Sequence, residues 1–237
     1  MFFSPCQLSV IQLQNLKTKY HMRIEKTIHD GNSRLVLFFS GWAATPVQFR
    51  HISVGDADCW IVYDYRSLDF PEIPEHYTEI HLIAWSMGVW VASQVVPESR
   101  LTTATAINGT PYPGHDEWGI PVNIFQGTLE RLDEANWARF CRRMCGSRTL
   151  AVRYEELTDR RVEELKEELS FLNEQMKQRG SNELFVWNKA FVSLSDHVVP
   201  SENQLCYWKR AGVRTIELDA PHHPFHLWST WEEIWKE

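Results

Sequence analysis

The chain has 237 residues, a length that suits one α/β domain with room for an inserted subdomain. Hydrophobic residues make up 43% of it, which is enough for a full core and excludes an intrinsically disordered chain. The net charge of −7 argues against nucleic acid as a partner of the whole molecule.

We expect no targeting signal in the first residues. Met1 to Tyr20 has neither a basic start nor a continuous apolar run, so we predict no signal peptide and no membrane span. We expect residues 1–21 to be an extension of uncertain role. The five cysteines are odd in number and lack a disulfide-like spacing, which predicts reduced thiols and a cytoplasmic protein.

Short apolar runs alternate with helical stretches along most of the chain. Residues alternate only weakly over Met22–Ile28. The strands predicted after this segment are Arg34–Phe39, Cys59–Tyr63, Ile80–Ala84, Thr103–Ile107, Leu184–Val192 and Thr215–Leu218. Such alternation predicts an α/β fold, in which a mostly parallel central sheet has helices on both faces.

One region interrupts this alternation. Between residues 112 and 180 the pattern contains no strong strand, and it predicts two helices, Leu129–Cys145 and Tyr154–Arg179. A helical insertion at this point predicts a lid over the carboxyl edge of the sheet, where α/β proteins bind ligands. We therefore expect a core of residues 22–111 and 181–237 and a helical lid of residues 112–180.

Ser86 lies between a buried strand and a helical pattern of small and apolar residues. The segment Ala84-Trp85-Ser86-Met87-Gly88 matches the Gly-x-Ser-x-Gly nucleophile elbow except at its first position. Such a turn lifts the serine oxygen above the sheet edge. A serine in an unrelated strand–helix turn is the alternative, so the candidate partners of Ser86 must decide.

The partners of a nucleophilic serine occur in the required order. An acid and then a histidine follow the serine in α/β hydrolases, and here Asp196 and His222 each come just after a predicted strand. His223 is an equal candidate for the base on this pattern, and His226 is a more distant one. His197 is a poor candidate because it would have to face Asp196, and side chains adjacent in the chain rarely face each other.

An oxyanion hole requires two backbone N–H groups directed at the developing negative charge. The first is expected from Met87, the residue after the nucleophile. The second is expected from the loop after the Arg34–Phe39 strand, where we choose the N–H of Trp42.

A basic cluster lies in the predicted lid. Between Trp137 and Arg153 there is no acidic residue, and the arginines are Arg139, Arg142, Arg143, Arg148 and Arg153. These charges fit either a solvated helix face or a docking surface for an acidic partner, because arginine matches phosphates and carboxylates.

Together these residues resemble the α/β hydrolases, and within them the BioG-type pimeloyl-[acyl-carrier protein] methyl ester esterases of biotin synthesis. The resemblance covers residues 22–228, and its segments are Phe38–Trp42, Val62–Tyr65, Leu82–Trp90, Asn108–Pro111, Asp196–Pro200 and His222–Phe225. Related carboxylesterases begin a His-x-Pro-Phe run with the catalytic histidine, which selects His222. Ser40 and Ala84 depart from the wider hydrolase pattern and leave the predicted triad intact.

The resemblance implies a reaction and a partner. Ser86, His222 and Asp196 would hydrolyse the methyl ester of pimeloyl-acyl-carrier protein without a metal or organic cofactor, and the arginines of the lid would meet the acidic carrier protein. A general short-chain carboxylesterase and an acyl-carrier thioesterase share the triad and remain alternatives. A non-catalytic binding protein on the same fold is a third.

Overall fold

A single sheet organises the residues described by the computed structural model, which are residues 22–29 and 31–236. The predicted extension, residues 1–21, lies outside them. The seven strands have the order β1-β3-β2-β4-β5-β6-β7, in which β1 runs antiparallel to β3 and the other neighbouring pairs are parallel. Their bounds are Arg23–Thr27 (β1), Arg34–Phe39 (β2), Asp58–Tyr63 (β3), Glu79–Trp85 (β4), Thr103–Ile107 (β5), Lys189–Ser193 (β6) and Arg214–Leu218 (β7).

The central strands are buried on both faces. In β2 every residue from Leu35 to Phe39 is inaccessible to solvent, and β4 is buried from Ile80 onwards. Continuous apolar runs of this kind form parallel strands that are covered on both sides. The edge strands β1 and β7 are partly exposed, which agrees with their weaker apolar patterns.

Helices cover both faces of the sheet, as predicted. The helix α1 follows β4 and packs on β2 and β4, α6 packs on β6 and β7, and α7 packs on β4 and β5. The α-helices of the described residues are Met87–Val95 (α1), Val122–Glu130 (α2), Glu134–Cys145 (α3), Arg148–Glu156 (α4), Val162–Arg179 (α5), Ser201–Ala211 (α6) and Trp231–Lys236 (α7).

The segment between β5 and β6 contains α2, α3, α4 and α5, which we call the helical insertion. The prediction of two helices was wrong, because Leu129–Cys145 is interrupted at residues 131–133 and Tyr154–Arg179 at residues 157–161. The side chain of Asp133 accepts a hydrogen bond from the Asn136 N–H and begins α3. Gly146 then ends α3 in the left-handed region, at φ 68°, and the Ser147 side chain caps α4.

The predicted strand Leu184–Val192 was wrong in its first half, because β6 begins only at Lys189. Leu184 and Val186 are exposed, whereas Phe185 and Trp187 are buried. This segment therefore has the alternation of a strand in its sequence. It lacks the ladder of hydrogen bonds to a neighbour that defines one.

Gly88 allows α1 to approach the end of β2. A Cβ atom at this position would lie 2.4 Å from the Phe39 carbonyl oxygen and 2.5 Å from that of Ser40. The first turn of α1 therefore requires glycine at this position for close packing. Ala84, which replaces the first elbow glycine, fits in the core with no exposed surface.

We expect Gly88→Ala to lower the free energy of unfolding by about 1–3 kcal/mol, because the backbone of β2 must shift to admit the methyl group. Gly127→Ala is the matched control, since a Cβ there meets no atom within 4 Å and Gly127 lies inside α2. That control should gain up to about 1 kcal/mol from helix propensity. Urea denaturation measures both, and equal stabilities would contradict the close-packing account.

Candidate active site

Ser86 lies in a strained turn between β4 and α1. Its backbone has φ 56° and ψ −123°, a conformation that non-glycine residues seldom adopt. The N–H of Ser86 donates to the Ile107 carbonyl of β5 at 2.9 Å, and Gly109 leaves room for the Ser86 carbonyl. The neighbouring strand end therefore holds this turn, which presents the serine hydroxyl at the carboxyl edge of the sheet.

Ser86, His222 and Asp196 form a continuous hydrogen-bonded chain. The His222 Nε2 atom lies 2.9 Å from the Ser86 Oγ atom, and His222 Nδ1 lies 2.7 Å from Asp196 Oδ2. Because a carboxylate only accepts, Nδ1 carries the proton and Nε2 of the neutral ring is free to accept from the serine hydroxyl. This is the tautomer that a general base for Ser86 requires.

Four groups fix the Asp196 carboxylate in the loop after β6. Its Oδ1 atom accepts from the N–H groups of Val198 and Val199, and its Oδ2 atom accepts from Gln204 Nε2 as well as from His222. Gln204 lies on α6 and was not predicted from the sequence. A glutamine inside an ordinary amphipathic helix gives no signal that its side chain turns towards a buried acid.

The backbone of His222 is also held from two sides. Its carbonyl oxygen accepts from the Trp85 indole N–H and from the Asn108 side-chain amide, both at 2.9 Å. Asn108 reaches β6 too, where it exchanges hydrogen bonds with Ser193. The residue before the nucleophile and the end of β5 thus orient the loop that carries the base.

The structure separates His222 from the other candidate histidines. His223 packs against the rings of Phe49, Trp85 and Tyr154, and its Nε2 atom has no hydrogen-bond partner among the described residues. Burial lowers the pKa of His223 to about 3. His197 and His226 are exposed. Of the four, His222 alone lies within hydrogen-bonding distance of both Ser86 and Asp196 in the described residues.

Trp42 and Met87 line the same pocket as Ser86. Met87 is the first residue of α1, where a helix leaves its N–H groups free. Neither of these two N–H groups has a hydrogen-bond acceptor among residues 22–29 and 31–236. Both are therefore available to a ligand oxygen near Ser86.

The pocket in front of Ser86 is narrow and mainly apolar. It has a volume of about 520 Å³, including the part that is open to solvent. Most of its apolar lining comes from the helical insertion, and these residues include Ile124, Phe125, Phe140, Met144 and Leu169. The insertion thus supplies most of the apolar surface beside Ser86.

The five predicted arginines are all exposed, but they do not share one site. Arg139 and Arg143 line a groove of about 1180 Å³, including open solvent, and Arg143 also lines the pocket of Ser86. Arg131, which the sequence analysis missed, lines the groove as well. It was missed because Asp133 and Glu134 separate it from the acid-free segment.

Three predicted arginines, Arg142, Arg148 and Arg153, lie outside this lining. We call the surface formed by Arg131, Arg139 and Arg143 the arginine groove. It meets the pocket at Ile124 and Phe140. An extended ligand that reaches Ser86 could therefore leave the pocket past these cations.

No cluster of three or more His, Cys, Asp or Glu side chains among the described residues has a geometry suited to a metal ion. Within the same residues, every helix is too short or too polar to cross a bilayer.

Comparison with known proteins identifies the family. The sequence model of the family described as pimeloyl-ACP methyl esterase BioG matches residues 22–234. The crystal structure of BioG from Haemophilus influenzae superposes with a TM-score of 0.85 and 36% identity, over 90% of this chain and all of that one. An uncharacterized protein of H. influenzae is 38% identical over 85% of this chain and 94% of its own length.

A longer relative and a more distant structure complete the comparison. A protein of Bacteroides fragilis named malonyl-[acyl-carrier protein] O-methyltransferase is 44% identical over 79% of this chain, which spans only 39% of that relative's length. The esterase EaEST from Exiguobacterium antarcticum has the same fold at a TM-score of 0.66 and 16% identity, over 91% of each chain. The predicted α/β-hydrolase fold is thereby confirmed, and the chain belongs to the BioG family of pimeloyl-ACP methyl esterases.

Proposed function

We propose that this protein hydrolyses the methyl ester of pimeloyl-acyl-carrier protein to pimeloyl-acyl-carrier protein and methanol, in the cytoplasm and for biotin synthesis. Ser86 is the nucleophile, His222 the general base and acid, and Asp196 the residue that orients His222. The observation that carries the proposal is the hydrogen-bonded chain from Ser86 to Asp196 at an apolar pocket, in a member of this family.

The first half of the reaction forms an acyl-enzyme. The Ser86 oxygen attacks the ester carbonyl while its proton passes to Nε2 of His222, and Asp196 stabilises the resulting imidazolium through Nδ1. The backbone N–H groups of Trp42 and Met87 donate to the oxygen that becomes negative. Collapse of the intermediate breaks the bond to the methoxy group, which takes the proton from His222 and leaves as methanol.

The second half regenerates the enzyme. Water attacks the acyl-enzyme carbonyl and gives a proton to His222, and the same two N–H groups stabilise the second oxyanion. When the bond to Ser86 breaks, the serine oxygen takes that proton back. The acid product leaves with its carrier still attached, and no metal or cofactor takes part.

The shape of the pocket supports a carrier-bound substrate. The narrow apolar pocket favours entry of the aliphatic chain with its ester end first. The arginine groove lies where the rest of the substrate would emerge. A cationic surface at that position suits an acidic carrier protein. A general short-chain carboxylesterase would not require it, and a thioesterase would need the carrier end at Ser86.

The name of the Bacteroides relative describes transfer of a methyl group to an acyl-carrier-bound acid, the opposite of ester hydrolysis. Since this chain spans 39% of that relative, we assign the name to the remaining part of the longer protein. The family match over residues 22–234 supports this assignment, because it covers nearly the whole of the present chain.

We expect Ser86→Ala to lower ester hydrolysis on the order of 10⁴-fold or more, because the acyl-enzyme can no longer form. The assay is the release of methanol from the carrier-bound methyl ester. Circular dichroism should show an unchanged fold. A folded Ser86→Ala variant with turnover near that of the wild type would contradict the proposed mechanism.

The two neighbouring histidines should behave differently. His222→Ala removes the base and should abolish activity, whereas His223→Ala should reduce it only modestly through lost packing against Phe49 and Trp85. Initial rates on a short p-nitrophenyl ester measure both. A larger loss in His223→Ala would show that the wrong histidine was chosen.

His223 should instead appear in the pH dependence of stability. Its lowered pKa means that only the unfolded chain takes up its proton between about pH 6.5 and pH 3. Its contribution is complete above pH 6.5 and is lost as the pH falls, with a slope of at most about 1.4 kcal/mol per pH unit. Urea denaturation across this range should give a shallower slope for His223→Phe than for the wild type.

Charge reversal in the arginine groove tests the carrier protein as partner. Arg131→Glu with Arg139→Glu changes two arginines that line the groove but not the pocket of Ser86. It should lower kcat/KM for the carrier-bound ester by roughly 10-fold or more, because steering and charged contacts are lost. A short soluble ester needs only the pocket, so its kcat/KM should change little. High salt should reproduce the effect in the wild type for the carrier-bound substrate alone.

The matched control is Arg148→Glu with Arg153→Glu, which makes the same change in net charge on exposed arginines outside the groove. This control should retain most of the activity on the carrier-bound ester. Equal losses in both double variants would assign the effect to overall charge, and no loss in either would leave the arginines as a solvated face.

A further inference from the structure

Glu168, a carboxylate of the helical insertion, lies at the carboxyl ends of two core strands. It belongs to α5 and has no exposed surface. Its Oε1 atom accepts from the Tyr65 N–H at 2.8 Å, and its Oε2 atom accepts from the Ala43 N–H at 3.3 Å. These N–H groups belong to the loops after β3 and β2. Glu168 thus satisfies two buried backbone donors that the sheet does not.

A second contact joins α5 to the same loop. The Trp42 indole N–H donates to the carbonyl oxygen of Leu165, at 2.8 Å and about one helical turn before Glu168. Ala43 has φ 68°, a left-handed conformation that non-glycine residues adopt only when their surroundings hold it. Two hydrogen bonds from α5 therefore hold the turn at Trp42 and Ala43.

The carboxylate is itself fixed by a buried ion pair. The Arg160 guanidinium donates to Glu168 at 2.7 Å and to Asp64, at the end of β3, at 3.2 Å. Burial raises the pKa of Glu168, and the charge of Arg160 opposes that rise. A buried charge is costly unless it is paired. Glu168 lies next to the Trp42–Ala43 turn, and this position points to more than a general contribution to stability.

We propose that Glu168 is a positioning residue for the oxyanion hole, which holds the Trp42–Ala43 turn so that the Trp42 N–H stays directed at the tetrahedral intermediate. The inference rests on the hydrolysis proposed for Ser86. Because an oxyanion donor stabilises charge that develops only in the transition state, its misplacement lowers kcat and leaves KM nearly unchanged. Loss of a purely structural ion pair would not be expected to lower kcat while KM stays the same.

The test is Glu168→Gln, which keeps the shape of the side chain but leaves one acceptor oxygen for two backbone N–H groups. On a short p-nitrophenyl ester we expect kcat to fall about 10-fold or more, within the loss caused by removal of a whole oxyanion donor. KM should change less than about 2-fold. The affinity for an alkylboronic acid, which adds to Ser86 as a tetrahedral mimic, should fall in proportion to kcat.

Two controls separate positioning from stability. Asp64→Asn disturbs the same buried ion cluster but leaves Glu168 in contact with both N–H groups, and asparagine tolerates the φ of 58° at this position. It should lose stability and keep its kcat. Glu163→Gln removes an exposed charge from the same helix and should change neither.

A second variant and a direct measurement keep the inference testable if Glu168→Gln fails to fold. Arg160→Met with Glu168→Gln removes both charges of this buried ion pair, so neither charge is left without the other. This double variant should show the same selective loss of kcat. In either variant, amide hydrogen exchange at Ala43 should become faster than in the wild type. Unchanged kcat with unchanged exchange, or an equal loss of kcat in Asp64→Asn, would overturn the inference. An inactive wild type would contradict the proposed hydrolysis instead, and the exchange measurement would still decide whether Glu168 holds the turn.

Discussion

The carboxyl ends of the parallel strands meet at one edge of the sheet, and every group of the candidate site depends on this constraint. Ser86 follows β4, Trp42 follows β2, Asn108 follows β5, Asp196 follows β6 and His222 follows β7. Residues that are distant in the chain therefore reach a common point without a long loop. The strained turn at Ser86 is stable only because the neighbouring strands are packed at its base.

The helical insertion contributes to the pocket at this edge of the sheet and contacts the core loops there. Its residues line the pocket in front of Ser86. Two residues of α5, Glu168 and Leu165, also contact the loop after β2. The insertion and the core are therefore joined by buried charge-assisted hydrogen bonds in addition to apolar packing. Bonds of this kind have strict geometry, which suits the role that we propose for this loop in the oxyanion hole.

The sequence predicted the parts of the site that follow strand ends. Ser86, Asp196 and either His222 or His223 could be predicted as a triad because buried apolar runs are easy to recognise and the order of the three is restricted. Choosing between His222 and His223 required either the family resemblance or the structure. In the structure, His222 and not His223 lies within hydrogen-bonding distance of both Ser86 and Asp196.

The remaining features could not be predicted because they depend on long-range contacts or on local caps. Gln204 and Glu168 lie on helices whose sequence patterns are those of ordinary exposed faces, and Arg131 directly follows α2. The breaks within the helical insertion depend on capping residues at Asp133 and Ser147, which a search for apolar periodicity passes over. Tertiary packing decides such cases, and a single sequence does not display it.

The most direct test of the central claim is hydrolysis of the carrier-bound methyl ester in water enriched in oxygen-18, followed by mass spectrometry of the intact carrier protein and of the methanol. Acyl transfer through Ser86 places the label in the new carboxyl group, while the acyl chain stays on its carrier and the methanol is unlabelled. Label in the methanol would mean cleavage between the methyl carbon and oxygen. A carrier protein released from its acyl chain would mean thioester cleavage, and either result would contradict the account.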